Sequence, residues 1–287
     1  QLVGRKLLAG EEVTRHPRIV VRVVTWNLFH GRDSPPNRAL FTPRSKFLRV
    51  TERDTTHVQV NRPLRAEFAT VLGRTEWDLA LLQEAPPRWR GRLGAPDEMV
   101  LTSRNVIPRA QGWLADCNPD LIGSWDGGSN QLLVRPPWRV EELRAYTFAR
   151  RPERRRMLWA RVAGPEGASL AVANLHGSVD TVPDRGAQVL RAAERAVEWA
   201  GELPLVFGGD LNLRVTTDPE AFEQLSARFG LVAPTAPDAI DHLLVRGLDV
   251  LEAPRRARPE ARELDAGEGR ALRLSDHAYV TSTLGMR

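Results

Sequence analysis

The sequence predicts an α+β or layered α/β sheet protein, and three segments carry that expectation. Residues 19–28 (IVVRVVTWNL) are a β-branched apolar run of the kind that buried central strands use. Residues 158–162 and 169–175 are two further apolar runs, and the Gly164-Pro165-Glu166-Gly167 between them is a turn, so together they read as a hairpin. Residues 186–202 carry Val189, Leu190, Ala193, Ala196, Val197 and Ala200 at helical spacing between Arg and Glu, one apolar stripe on an amphipathic helix. Residues 203–207 (LPLVF) then resume strand character.

The other elements follow in chain order. Residues 1–18 mix Glu, Arg and Pro17 and read as a peripheral lead-in to one domain over 19–287, a length that a single core can fill. From His30 to about Asn61 the chain is polar, with Pro35, Pro36 and Pro43 and little periodicity; connections this long are functional or disordered. Pro63 opens a helix to about Thr75, since proline suits the first helical turn. Asp78–Gln83 (DLALLQ) is a strand, and Ala85–Gly128, rich in Pro, Gly and Trp, reads as loops with short elements. Gln131–Val134, Ile240–Val245 and Ala278–Leu284 are the remaining strands. Neither an internal repeat nor a low-complexity tract interrupts them.

Hydrophobic residues at 42% and charged residues at 27% are ordinary for a packed domain and exclude a disordered chain. A net charge of +5 and a pI near 10.2 suit a polyanionic partner, nucleic acid or an anionic head group. Nearly all of the positive charge is arginine, Lys6 and Lys46 being the only lysines, so a GC-rich coding sequence is the bland source of the same bias. Cys117 stands alone, which excludes an intramolecular disulfide and a cysteine zinc site. No run approaches the ~20 apolar residues that span a bilayer, so membrane insertion is not expected. The start at Gln1 rather than Met leaves the location open between the cytoplasm and an exported form whose leader was removed.

Six polar clusters sit where apolar strands end: Thr25-Trp26-Asn27, Gln83-Glu84, Asn174-Leu175-His176, Gly208 through Asn212 (GGDLN), Ile240-Asp241-His242 and Ser275-Asp276-His277. Any one of them alone is most simply a turn former or cap. Strand termini converge on one edge of a sheet, however, so six in succession can gather carboxylates, amides and imidazoles around a phosphate and a hard cation.

In that order, from about Val20 to Leu284, the chain resembles the endonuclease/exonuclease/phosphatase superfamily of deoxyribonuclease I-like phosphoesterases. The resemblance implies a four-layer α/β/β/α sandwich of two mixed β-sheets with the site at one sheet edge. It also implies Mg²⁺ or Mn²⁺ as cofactor, with Glu84 the principal ligand, Asn27 its polar neighbour and Asp276 a second carboxylate on the metal side. A cation that prefers oxygen ligands and keeps several waters suits that set. Asp210 and Asn212 resemble the pair that orients the attacking water. His277 resembles the histidine that contacts the scissile phosphate, with Asp241 fixing its tautomer, and which of Asp210 and His277 takes the proton is left open. His176 resembles the histidine beside the leaving oxygen. Asn174 and Asn130, the latter in Gly128-Ser129-Asn130-Gln131, are carried over as substrate contacts, and Gly208-Gly209 as a place where the backbone approaches substrate.

Outside the resemblance, Arg150 to Arg156 (RRPERRR) is a charge run, most simply a solvated face; as a phosphate clamp, its best candidate is Arg156, which leads into a strand. Trp113 and Trp125, in the loop-rich region, are the candidates for base stacking, and Arg32-Asp33 could extend toward substrate. His30, His57 and His242 gain no support; His242 follows Asp241 on a strand and faces the other way. The expected activity is hydrolysis of a phosphodiester, nucleic acid first, by a monomer. The alternatives are a lipid or inositol phosphate substrate, although no exposed aromatic hairpin is legible, and a silent relative that only binds a phosphorylated ligand.

Overall fold

The computed structural model describes residues 19–102 and 104–286, so the lead-in expected over 1–18 lies outside the described residues. The first sheet contains β1 (Ile19–Asn27), β2 (Leu79–Ala85), β3 (Asp97–Leu101) and β4 (Ser129–Val134). The second contains β5 (Arg139–Ala149), β6 (Arg155–Ala163), β7 (Ser169–His176), β8 (Leu205–Asp210) and β9 (Asp241–Arg246). The chain then returns to the first sheet with β10 (Asp249–Arg256) and β11 (Val280–Met286). The strand orders are β10-β11-β1-β2-β4-β3 and β9-β8-β7-β6-β5. Each sheet is mixed, with one parallel pair, β1 with β2 and β7 with β8, at or next to its middle.

Both sheets are covered on both faces, which is why their central strands read as continuous apolar runs rather than alternating ones. Alternate residues of β1 and β2, Val21, Val23, Leu79 and Leu81, meet Leu158, Ala160, Val172, Val206 and Leu243 of the second sheet. The intervening Val24, Trp26, Ala80 and Leu82 face outward onto Phe68, Val71 and Leu72 of α1 (Arg65–Arg74). On the other side Trp159, Ala173 and Phe207 pack under α2 (Arg185–Ala200) and α3 (Pro219–Phe229) through Val189, Ala193, Phe222 and Leu225. The architecture is therefore the four-layer α/β/β/α sandwich.

Several boundaries move. The strand expected over 203–207 begins at Leu205 and continues through Gly208-Gly209 to Asp210. Those glycines let neighbouring strands approach closely: Gly209 has φ +130°, and a Cβ there would collide with the Leu175 carbonyl, while one at Gly208 would meet the His242 carbonyl. The 30–61 segment is ordered, with a short helix Pro43–Leu48 and a small hairpin pairing Glu52–Arg53 with Val58–Gln59. Buried Asp33 pins it by accepting from Val60 N, so Asp33 is structural and Arg32 stacks on Phe29 instead of extending outward. The edge strands β3, β5 and β10 and helix α3 have no counterpart in the sequence expectations.

Candidate active site

Parallel pairing brings the C-terminal ends of neighbouring strands side by side. In β1 and β2, Asn27 lies in register with Gln83, and a register shift after Leu82 with a positive φ of 46° at Glu84 turns that carboxylate into the cleft. In the second sheet Asp210 is in register with both His176 and Asp241. β11 runs antiparallel to β1, so the residues before it, Ser275 to His277, arrive at the same end. They are fixed there by Ser275 Oγ donating to Asn27 O (2.6 Å) and Trp26 Nε1 donating to His277 O (3.0 Å). Phe29, His30, Glu84, Asn212 and Ser275 all have φ near +50°, so five of the nine non-glycine residues with positive φ among the described residues gather at this end of the sandwich.

Asp210 is the hub. Its Oδ2 accepts from Asn27 Nδ2 (2.9 Å), which joins the two sheets, and lies 3.5 Å from His176 Nε2 and 3.8 Å from His277 Nε2. Its Oδ1 accepts from Asn212 N (3.1 Å). Burial raises the Asp210 pKa to about 6, with Asp241 adding to the rise and His277 and Asn27 opposing it. Burial would keep His277 neutral, but Asp241, hydrogen-bonded to its Nδ1 at 2.9 Å, together with Asp210 and Asp276 pushes it up to about 10, so it is an imidazolium at neutral pH.

His176 is the opposite case. Burial, then Arg155, His277 and His30, hold its pKa well below the usual value. Arg155 Nη1 lies 2.9 Å from His176 Nδ1, and because a guanidinium can only donate, Nδ1 accepts and the ring proton sits on Nε2, facing Asp210. His176 is thus a neutral hydrogen-bond donor. Across the cleft, burial and the charges of Asp210 and Asp276 raise Glu84 to about 7; His30 Nε2 stands 3.6 Å from it and is itself held near 3 by burial and by Arg32, Arg88 and Arg155.

The residues expected at the site divide into two levels. Asn27, Glu84, His176, Asp210, Asn212, Asp241, Asp276 and His277 come together at one end of the sandwich. Asn174, Asn130 and Arg156 lie below them, between the sheets. Asn174 Nδ2 donates to Leu82 O and Gln131 O while its Oδ1 accepts from Gln83; Asn130 donates to Arg156 O and Asn174 O; Arg156 donates to Leu101 O. These hydrogen bonds brace the two sheets against each other, while Asn130 Oδ1 and Arg156 Nε are left without a partner among the described residues. The arginine of the charge run that lines the cleft is Arg155, not Arg156, because β6 alternates faces. His30 is the other cleft residue that the sequence left unsupported; its one signal is its place just past the Asn27 strand. His242 does face away, onto Phe222, Leu213 O and Ala239 O.

The cleft holds about 280 Å³ and is walled by His30, Glu84, Arg104, Glu153, Arg155 and His176 among others. A larger groove of about 770 Å³ runs along the edge of the first sheet past Arg22, Arg255 and Tyr279, away from the carboxylates and histidines. Asp210, Asp241 and His277 place ligand atoms within 4.8 Å of one another and could hold a metal ion. The Asp241–His277 pair already satisfies itself as donor and acceptor, whereas buried Asp210 and exposed Asp276 both repel the Glu84 carboxylate, an oxygen donor set whose cost a hard cation would relieve.

A sequence profile of the Endonuclease/Exonuclease/phosphatase family matches residues 24–277. No curated protein sequence matches the chain. Among solved structures, a family protein from Bacteroides thetaiotaomicron is similar at TM-score 0.61 and 14% identity, over 94% of this chain and 99% of that one. A mannosyl-6-phosphatase from the same organism gives 0.61 and 14%, over 92% and 99%. The human Nocturnin catalytic domain with bound sulfate gives 0.56 and 14%, over 93% and 97%. At these identities the likeness is one of fold.

Proposed function

The chain belongs to the endonuclease/exonuclease/phosphatase family, whose members hydrolyse phosphate esters, and we propose that it cleaves a phosphodiester by in-line attack of a water held on Asp210. The observation that supports this reading is the environment of Asp210: a buried carboxylate near pKa 6, oriented by Asn27 and Asn212, between a neutral His176 and a charged His277. An acceptor poised near neutrality suits proton removal from water, and a fixed imidazolium suits a phosphate. Asp210 takes the proton; His277, kept charged by Asp241, and Arg155 stabilise the negative charge of the phosphorane-like state. The ester P–O bond opposite the water breaks as the new bond forms; His176 donates a hydrogen bond from Nε2 to the departing oxygen, which takes its proton from bulk water. Glu84, with Asn27 and Asp276, would hold Mg²⁺ or Mn²⁺, which when bound supplies Lewis-acid polarisation of the phosphate.

Nucleic acid is the first substrate class. It is supported by Arg104, Arg150 and Arg151, exposed near the cleft with no ion pair or hydrogen bond among the described residues. A phosphodiester carried by a lipid is the second reading, favoured by exposed Trp125, next to Ser124 of the cleft wall. Hydrolysis of plasmid DNA, single-stranded DNA and phospholipid vesicles with Mg²⁺ or Mn²⁺, by the wild type and His277→Ala, ranks the two; metal-dependent turnover of none of them, nor of bis(p-nitrophenyl) phosphate, would leave only a binding role and overturn the proposal.

A further inference from the structure

Six of the thirteen large apolar side chains exposed among the described residues fall on two short stretches, 47–48 and 106–125: Phe47, Leu48, Val106, Trp113, Leu121 and Trp125. Leu48 is 71% exposed, Phe47 64% and Trp113 61%. Exposed apolar groups concentrated in this way mark an interaction surface. The two stretches interlock. Asn118 Nδ2 donates to Lys46 O (2.8 Å), and Asn61 Nδ2 bonds both Ser45 O and Asn118 Oδ1. Partly buried Arg88 then fastens the second stretch to the scaffold through Asp116 (2.7 Å) and Asp126 (2.8 Å). The frame is therefore braced, and the apolar side chains stand out from it.

The charge around them has one sign. Arg44, Lys46, Arg49, Arg104 and Arg109 are exposed, and none makes an ion pair among the described residues. Residues 41–49 contain no acid, and the acids of 106–126 are engaged: Asp116 and Asp126 by Arg88, and Asp120 by Gln59 Nε2 (2.9 Å). Exposed apolar side chains interspersed with cations, as Lys46 is beside Phe47, are the arrangement that binds the boundary between head groups and acyl chains, where tryptophan is also favoured. Leu48, Val106 and Leu121 cannot stack on bases, which weighs against a nucleic-acid platform. Two copies of this face would oppose cation to cation, which weighs against self-association.

We propose that this face docks the protein onto an anionic membrane surface. Ser124 and Gly128, beside Trp125, line the cleft that contains Glu84 and His176, so docking sets the catalytic end close to the head groups. The docking does not depend on which bond the site cleaves. The test is co-sedimentation of the full chain with vesicles of phosphatidylcholine alone and with 30% phosphatidylglycerol, about one lipid in three being anionic, with tryptophan emission recorded in parallel. Binding to the anionic vesicles, a blue shift, quenching by brominated acyl chains and about a tenfold or greater loss in Leu48→Ser/Trp113→Ala are expected, with hydrolysis of a soluble phosphodiester unchanged in that variant. No binding to anionic vesicles, binding that the double variant retains, or quenching that never occurs would overturn it. So would a loss, in the same variant, of self-association or of single-stranded DNA binding instead of vesicle binding.

Discussion

Asn27 Nδ2 donates to Asp210 Oδ2 at 2.9 Å, and this one hydrogen bond ties the end of the first sheet's central strand to the end of the second's. The same amide orients the proposed base and, through its Oδ1, accepts from Phe29 N to start the turn that carries His30. Asn27→Ala should therefore lower kcat by about 10²-fold, the scale for losing one oriented donor in an active site, while costing about 1 kcal/mol of stability for a buried hydrogen bond. Steady-state kinetics beside thermal unfolding separates the two effects; equal, small losses in both would make the residue a brace only.

Arg155 sets the tautomer of His176. Replacing it with Met removes both the donor to Nδ1 and a charge that depresses the imidazole, so the His176 pKa should rise and the ring should lose its preference for Nε2–H. Nitrogen NMR shifts of the ring read this directly, and activity should fall about 10- to 100-fold. An unchanged ring spectrum would remove Arg155 from the mechanism.

The pH profile should be asymmetric. Asp210, near 6, gives an acid limb, so rate rises as pH climbs through that value. His277, near 10, stays protonated through neutrality, and no fall should appear before about that pH. Asp241→Asn removes the partner that raises His277, and the alkaline limb should move down by about one to two units. A profile for Asp241→Asn that overlays the wild type would show that His277 charge is not used.

Glu84 is stabilising only when neutral or metal-bound. Its folded pKa, about 7, lies above the ordinary 4.5, so its charge costs nothing below about pH 4.5, the cost grows as pH rises toward 7, and it is complete above that. Glu84→Gln should stabilise the metal-free protein at pH 8 by on the order of 2 kcal/mol, roughly 4 °C in Tm, and have little effect near pH 4.5. Metal binding competes with the same proton, so Mn²⁺ affinity should drop about tenfold per pH unit below 7 in the wild type. Calorimetry in EDTA and Mn²⁺ titration check both.

Much of this was legible because buried parallel strands write themselves as apolar runs and their ends as polar clusters. β1, β2, β7 and β8 follow from that pattern, and the eight residues at the catalytic end lie in those clusters, from which the family resemblance picked them out. Edge strands did not show: β5 is half exposed, interleaved with charge and broken by a bulge near Glu142, and β10 carries Pro254 and three exposed charges. α3 had usable signals in Pro219 at its first turn and Gly230 at φ +65°, but its apolar stripe is short. Arg155 reaches the cleft while Arg156 and Asn174 turn between the sheets for one reason. Which face a residue at a strand end takes depends on register, and register is fixed by the partner strands rather than by the local sequence.

The central claim is that Asp210 holds and deprotonates the attacking water. The most direct test is hydrolysis of bis(p-nitrophenyl) phosphate by the full chain with Mn²⁺ and with EDTA, for wild type and Asp210→Asn. Turnover that requires metal and falls at least about 10³-fold in the folded Asp210→Asn protein is the predicted result; turnover that survives the substitution, or that persists unchanged in EDTA, would contradict it.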